Sequence, residues 1–176
     1  MRRVPYFVVL GFAASASVGG RGRLVAQESP SAAAFGHLAS LVGHWKGVFQ
    51  GTDITLTYTL TANGSALMEE SRPKSEPVMI TMFTVDGDHL RATHYCSARN
   101  QPQMKTEAIT ATSAPRLTFT LDRVTGMRTP DDWHNTGLVM ILEDREHLTQ
   151  EWTYHFKGKA GKNVFHFTRE HSGGDE

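Results

Sequence analysis

From about residue 43 to residue 170 the chain alternates between hydrophobic and polar positions with a period of two, interrupted by short polar or glycine-containing stretches. The clearest run is "DITLTYTLTA", where Ile54, Leu56, Tyr58 and Leu60 fall on one face and Asp53, Thr55, Thr57, Thr59 and Thr61 on the other. Successive side chains of an extended chain point to opposite sides, so this is the pattern of a strand with one buried and one wet face. "LTFTL" repeats it with Leu117, Phe119 and Leu121. Strands are predicted at 43–50, 53–62, 65–72, 78–85, 89–97, 103–112, 116–124, 135–143, 147–156 and 163–170. Turn formers separate them: Asn63-Gly64, Asp86-Gly87, the charged "EDREH" at 143–147 and "KGKAGKN" at 157–163. Asn-Gly suits a tight hairpin because both residues accept positive φ at little cost.

Ahead of the strands the period is helical. Ser29-Pro30 offers an N-cap and a first-turn proline, and Phe35, Leu38, Leu41 and Val42 recur at helical spacing, which predicts one short helix weakened by Gly36. About ten strands joined in sequence would leave two unpaired edges in an open sheet. The predicted fold is therefore all-β: a single antiparallel up-and-down β-barrel of about ten strands with a short N-terminal helix. A two-sheet sandwich is the alternative. No motif recurs at a fixed period, which argues against a propeller.

A length of 176 residues suits one domain with a proper core, expected over 30–172. Eighteen basic side chains balance eighteen acidic ones, and no run of Lys and Arg could neutralise a phosphate backbone, so nucleic acid is not an expected partner. The opening "MRRVPYFVVLGFAASASVGG" has two arginines, an apolar run from Val4 to Ala13, and Ala14-Ser15-Ala16 in a small-x-small pattern. It reads as a secretory signal over 1–16, with Ala26 as a second cleavage position, followed by a polar, disordered leader over 17–29. A twin-arginine signal has only the Arg2-Arg3 pair in its favour. No later stretch approaches the ~20 apolar residues of a transmembrane anchor. Cys96 is the one cysteine, so the core rather than an intramolecular disulfide must hold the fold. The expected location is periplasmic or secreted, and an outward Cys96 would allow two chains to pair; the sequence leaves the oligomeric state open.

The first strand begins "LVGHWKGVF", with Gly43, Trp45 and Gly47 in a G-x-W-x-G pattern directly after the helix, and the last carries "NVFHFTRE" with Arg169. This resembles the lipocalin-like, or calycin, barrels, in which a Trp early in the first strand plugs one end and an Arg of the last strand packs across it. The resemblance implies a barrel-end pair of Trp45 and Arg169, with the guanidinium stacked on the indole. The opening is also similar to haem-binding nitrobindin-type barrels. "HYCSARNQP" together with "HLTQEWTYHFKGK" resembles an uncharacterised family of exported bacterial lipocalin-like proteins over about residues 38–170, a resemblance that implies no particular activity.

Alternation assigns the candidate chemistry. In "HLRATHYCS" Leu90, Ala92, His94 and Cys96 share the more apolar face, so His94 and Cys96 are expected to point inward. There they are either a core His beside an inert thiol or a set of soft donors for a metal or haem iron. His134 is in phase with Leu138, Met140 and Leu142 and is expected to face the interior as well. On strand nine Leu148, Gln150, Trp152, Tyr154 and Phe156 share a face that could wall a pocket or fill a core, while His155, and His166 on strand ten, are expected outside. One of Glu69 and Glu70 must face inward and needs a partner there; parity alone leaves the choice open. Asn100 and Gln101 are expected to fix their loop. No H-e-x-x-H, paired C-x-x-C or G-x-S-x-G accompanies these residues.

The expected function is non-enzymatic binding of a small, largely apolar ligand with no cofactor, using His94, Cys96, His134, Gln150, Trp152 and Tyr154. One alternative is a haem- or metal-binding barrel using an inward His; another is a barrel enzyme with an inward His and Glu as acid and base.

Overall fold

The computed structural model describes residues 28–110 and 115–171. The expected signal over 1–16 and the leader as far as residue 27 lie outside the described residues. The chain runs α1 (Pro30–Ala39), β1 (Gly43–Phe49), β2 (Thr52–Thr61), β3 (Ala66–Pro73), β4 (Met79–Asp86), β5 (His89–Tyr95), β6 (Gln101–Lys105), β7 (Arg116–Thr125), β8 (His134–Leu142), β9 (His147–Phe156) and β10 (Lys159–Glu170). Each strand pairs antiparallel with the next, and β1 pairs with β10, so the sheet closes into an up-and-down barrel. Closure leaves no edge, which settles barrel over sandwich. Among the described residues no helix is long and apolar enough to cross a membrane.

The helix starts where its cap places it: Ser29 Oγ accepts the Ala32 N–H at 3.2 Å, and Pro30 occupies the first turn. Ala34, Phe35 and Leu38, with Leu41 just beyond, bury their side chains at one barrel end, and Ser31 Oγ donates to Gly87 O at 2.7 Å. Val42 is 43% exposed, because the helix ends at Ala39 and helical phase no longer applies.

Two strands have an end more than two residues from the predicted boundary. β10 begins at Lys159 rather than 163, because Lys157 (φ 48°) and Gly158 (φ 72°) alone make the turn. Two central residues in the left-handed region are what a two-residue hairpin with the right twist requires. β6 covers 101–105 rather than 103–112; past Lys105 its pairing with β7 ends, while Thr106 and Ile109 still donate to Leu90 O and Asp88 O of the β5 side.

At the seam, Trp45 and Arg169 are direct cross-strand partners. Trp45 is fully buried and its indole N–H donates to Leu41 O at 2.8 Å. The Arg169 guanidinium lies over the ring, 4.3 Å from its centroid, and donates to Arg145 O, Val42 O and Ser40 O at 2.8, 2.8 and 2.9 Å. One side chain thus ties β10 to the helix exit and to the β8–β9 turn. The two glycines flanking Trp45 make room for β10 and its Arg169. A Cβ on Gly43 would come within 3.0 Å of Arg169 Nη1, and one on Gly47 would meet His166 O at 2.5 Å and the Phe167 ring at 2.8 Å.

Substituting Arg169 by Met keeps the stem but removes three hydrogen bonds and the cation over the indole. Arg169→Met is expected to lower unfolding stability by about 2 kcal/mol, read from the urea midpoint at unchanged slope.

Candidate functional site

The opposite end of the barrel is open. A cavity of about 680 Å³ runs down from the exposed loop residues Gln50, Ser75, Glu76 and Ala98. Two aromatic walls face it. Phe49 and Phe165 lie 4.5 Å apart between centroids, with Phe167 beside Phe165; on the neighbouring β8–β9 side Trp133 stacks on Tyr154 at 5.6 Å.

Its base is polar, and sheet register builds it. Tyr58 of β2 is opposite Glu69 of β3, Glu69 is opposite Thr81 of β4, and Thr81 is opposite His94 of β5, so four inward polar side chains form one row across four strands. All four are buried. Tyr58 O–H donates to Glu69 Oε2 at 2.5 Å, Thr81 Oγ1 lies 3.5 Å from Glu69 Oε1, and Thr81 Oγ1 lies 2.9 Å from His94 Nδ1. From β9, Gln150 Nε2 donates to Glu69 Oε2 at 2.6 Å and to Tyr58 Oη at 2.8 Å, and Trp152 Nε1 donates to Gln150 Oε1 at 2.8 Å. The Trp152 ring packs 4.8 Å from that of His94.

Register therefore resolves the two glutamates. Glu69 is the inward one; Glu70 lies on the outer face with Arg72 Nε 2.6 Å from its Oε1. Burial raises the Glu69 carboxyl above its ordinary value, against the hydrogen bonds from Tyr58, Gln150 and Thr81 that lower it. Burial, and then the Glu69 charge, push the Tyr58 phenol well up. Burial brings His94 down from 6.5 to about 4, so it is a neutral imidazole at neutral pH. Among the described residues no hydrogen bond reaches its Nε2; its Nδ1 is the atom beside Thr81.

Of the expected site residues, His94, Cys96, Gln150, Trp152 and Tyr154 line the cavity. Cys96 sits near the mouth, where burial pushes its thiol up and the Ala98 N–H, 3.4 Å away, lowers it in part. His134 does not join them. A bulge between Asn135 and Gly137 shifts β8 by one residue, so Asn135 faces the cavity and His134 packs outside against His155, with centroids 5.6 Å apart. The expectation took strict alternation back from Leu138, and an extra residue reverses it. Asn100 does fix its loop, by donating from Nδ2 to Trp133 O at 2.7 Å.

Sequence reasoning passed over Tyr58 and Thr81 as site residues because each looks like an ordinary strand position. The available signal was a hydroxyl on an otherwise apolar face, Tyr58 with Ile54 and Leu56 and Thr81 with Phe83. Trp133 and Phe49 come from strand ends, where alternation says little. Among the described residues no group of three or more His, Cys, Asp or Glu side chains is placed to hold a metal ion.

The closed antiparallel barrel, with one end plugged by Trp45 and a helix and the other open to a cavity, is consistent with a lipocalin-like architecture. Comparison with protein-family models finds no match, and comparison with curated proteins finds none either.

Glu69→Ala strands the Tyr58 and Gln150 donors and is expected to cost about 2 kcal/mol, whereas Glu70→Gln on the surface stays within about 0.5 kcal/mol; chemical denaturation of the two variants compares them directly. His94 supplies a pH test. Its folded pKa lies below its unfolded one, so the unfolded state binds the extra proton, and stability is lost as pH falls from 6.5 through about 4. His94→Gln should flatten that part of the profile in denaturation series at stepped pH.

Proposed function

We propose that the protein is an exported, periplasmic or secreted, non-enzymatic carrier or receptor of one small, largely apolar molecule held in the barrel. The observation that carries this reading is the cavity itself: about 680 Å³, open at one end, aromatic along its walls and closed by a hydrogen-bonded polar base. Binding sites for small molecules are typically concave and mostly apolar, with a few fixed polar groups that orient the ligand. A core that only needed filling would not leave room of this size beside a buried carboxylate. The apolar run from Val4 to Ala13 of the sequence supports export.

The haem alternative has one observation in its favour, the Nε2 of His94, which no hydrogen bond reaches among the described residues. The donor set speaks against it. The cavity wall offers two carboxylates, Glu69 and Glu76, and among the described lining residues no Arg or Lys to meet the acid groups of a porphyrin. These residues do not fit haem.

The uncharged fluorescent probe N-phenyl-1-naphthylamine should brighten and shift to the blue with the native protein. Ser71 lines the cavity on β3, and Ser71→Trp should weaken that binding by about tenfold or more by filling space, at little cost in stability. Equal probe binding by a folded Ser71→Trp protein would reject the cavity as the site. Native mass spectrometry of protein from its own host should show a co-purifying organic mass.

A further inference from the structure

The donors at the cavity base can be traced in one direction. The Trp152 indole N–H can only donate, so the Gln150 atom 2.8 Å from it is the carbonyl oxygen, and the Gln150 amide nitrogen faces Tyr58 and Glu69. The Tyr58 oxygen accepts one of those N–H groups, and its single hydrogen goes to Glu69 Oε2. Oε2 then holds two donors, while Oε1 has only the Thr81 hydroxyl at a long 3.5 Å. A hydroxyl whose hydrogen points at the carboxylate meets His94 Nδ1 as an acceptor, so the imidazole proton sits on Nδ1 and Nε2 keeps its lone pair. The base consequently presents acceptors: the spare capacity of Glu69 Oε1 and the Nε2 of His94.

Charge points the same way. Among the described lining residues the charged side chains are Glu69 at the base and Glu76 at the mouth, and burial keeps His94 neutral. Arg99 and Arg128 line a second hollow beyond Ser97 and Ala98, where Arg128 pairs with Asp132 at 3.4 Å. A buried carboxylate without a cationic partner is costly, and an anionic ligand would add a second negative charge to the same poorly solvated space. Trp133, Trp152, Tyr154, Phe49 and Phe165 offer ring faces, which attract cations through their quadrupoles.

We propose that the cavity selects an organic cation, a protonated amine on an apolar or aromatic body, with its N–H groups directed to Glu69 and His94 and its body against the aromatic lining. This rests on the reading of the barrel as a small-molecule site and names the ligand class for it. The nitrogen supplies the positive charge and the donors that the base lacks, and the apolar body supplies the buried area.

Calorimetric titration of the full chain with two sets of probes tests it. Decyl and 2-(1-naphthyl)ethyl bodies each carry in turn an ammonium, a hydroxyl or a carboxylate head. At neutral pH the ammonium member of at least one set should bind about tenfold or more tighter than its alcohol and about a hundredfold or more tighter than its carboxylate. Glu69→Gln should erase the preference for the ammonium over the alcohol head; if that variant does not fold, the head-group comparison on the native chain decides alone. Alcohols or carboxylates that bind as tightly as the amines would overturn the cation inference and leave the cavity reading standing. Six probes that all fail to bind would overturn both.

Discussion

A carboxylate inside a barrel must find donors within reach, and the placement of Glu69 constrains much of what surrounds it. Its partners come from Tyr58 on β2, Thr81 on β4 and Gln150 on β9, so its satisfaction depends on the pairing of β3 with both neighbours and on the approach of the far wall. A slip of one residue in β3 would turn Glu69 to solvent and bring Glu70 inside, away from Arg72. Hydrophobic alternation already disfavours such a slip. The polar row disfavours it further, because it would leave buried donors without acceptors. The interaction that could orient a ligand is thus also one that specifies register.

The two barrel ends solve different problems. At one, Trp45, Leu38 and Leu41 fill the space with apolar volume, and Arg169 both covers the indole and occupies carbonyls that strand and helix ends leave open. At the other, aromatic rings line the wall without meeting in the middle, and loops frame a mouth. The plugged end lets the open end stay open: closure, seam and helix docking are secured around Trp45, leaving the mouth half free of that task. Asn100 holds the β5–β6 loop to the carbonyl of Trp133, and so holds one aromatic wall in place from behind.

Much of the fold was legible in the chain. Period-two alternation marked the strands, turn residues marked most boundaries, and the lack of tolerable edges implied closure. What was missed follows from features without a local signature. The bulge at Asn135–Gly137 obeys the same composition as the strand around it, yet it moved His134 outside and Asn135 in. The turn after Phe156 needed two residues where the Lys- and Gly-rich stretch offered seven.

By itself the sequence determined the barrel class, the helix and the inward faces of β5 and β9, because each depends on periodicity within one segment. It also placed His94, Cys96, Gln150, Trp152 and Tyr154 as candidates on those faces. Which glutamate lies inside, that Tyr58 and Thr81 join it, and that a cavity rather than a filled core separates the walls were decided in the tertiary structure. Those outcomes depend on register and on distances across the barrel, quantities set jointly by strands far apart in the chain and encoded in none of them alone.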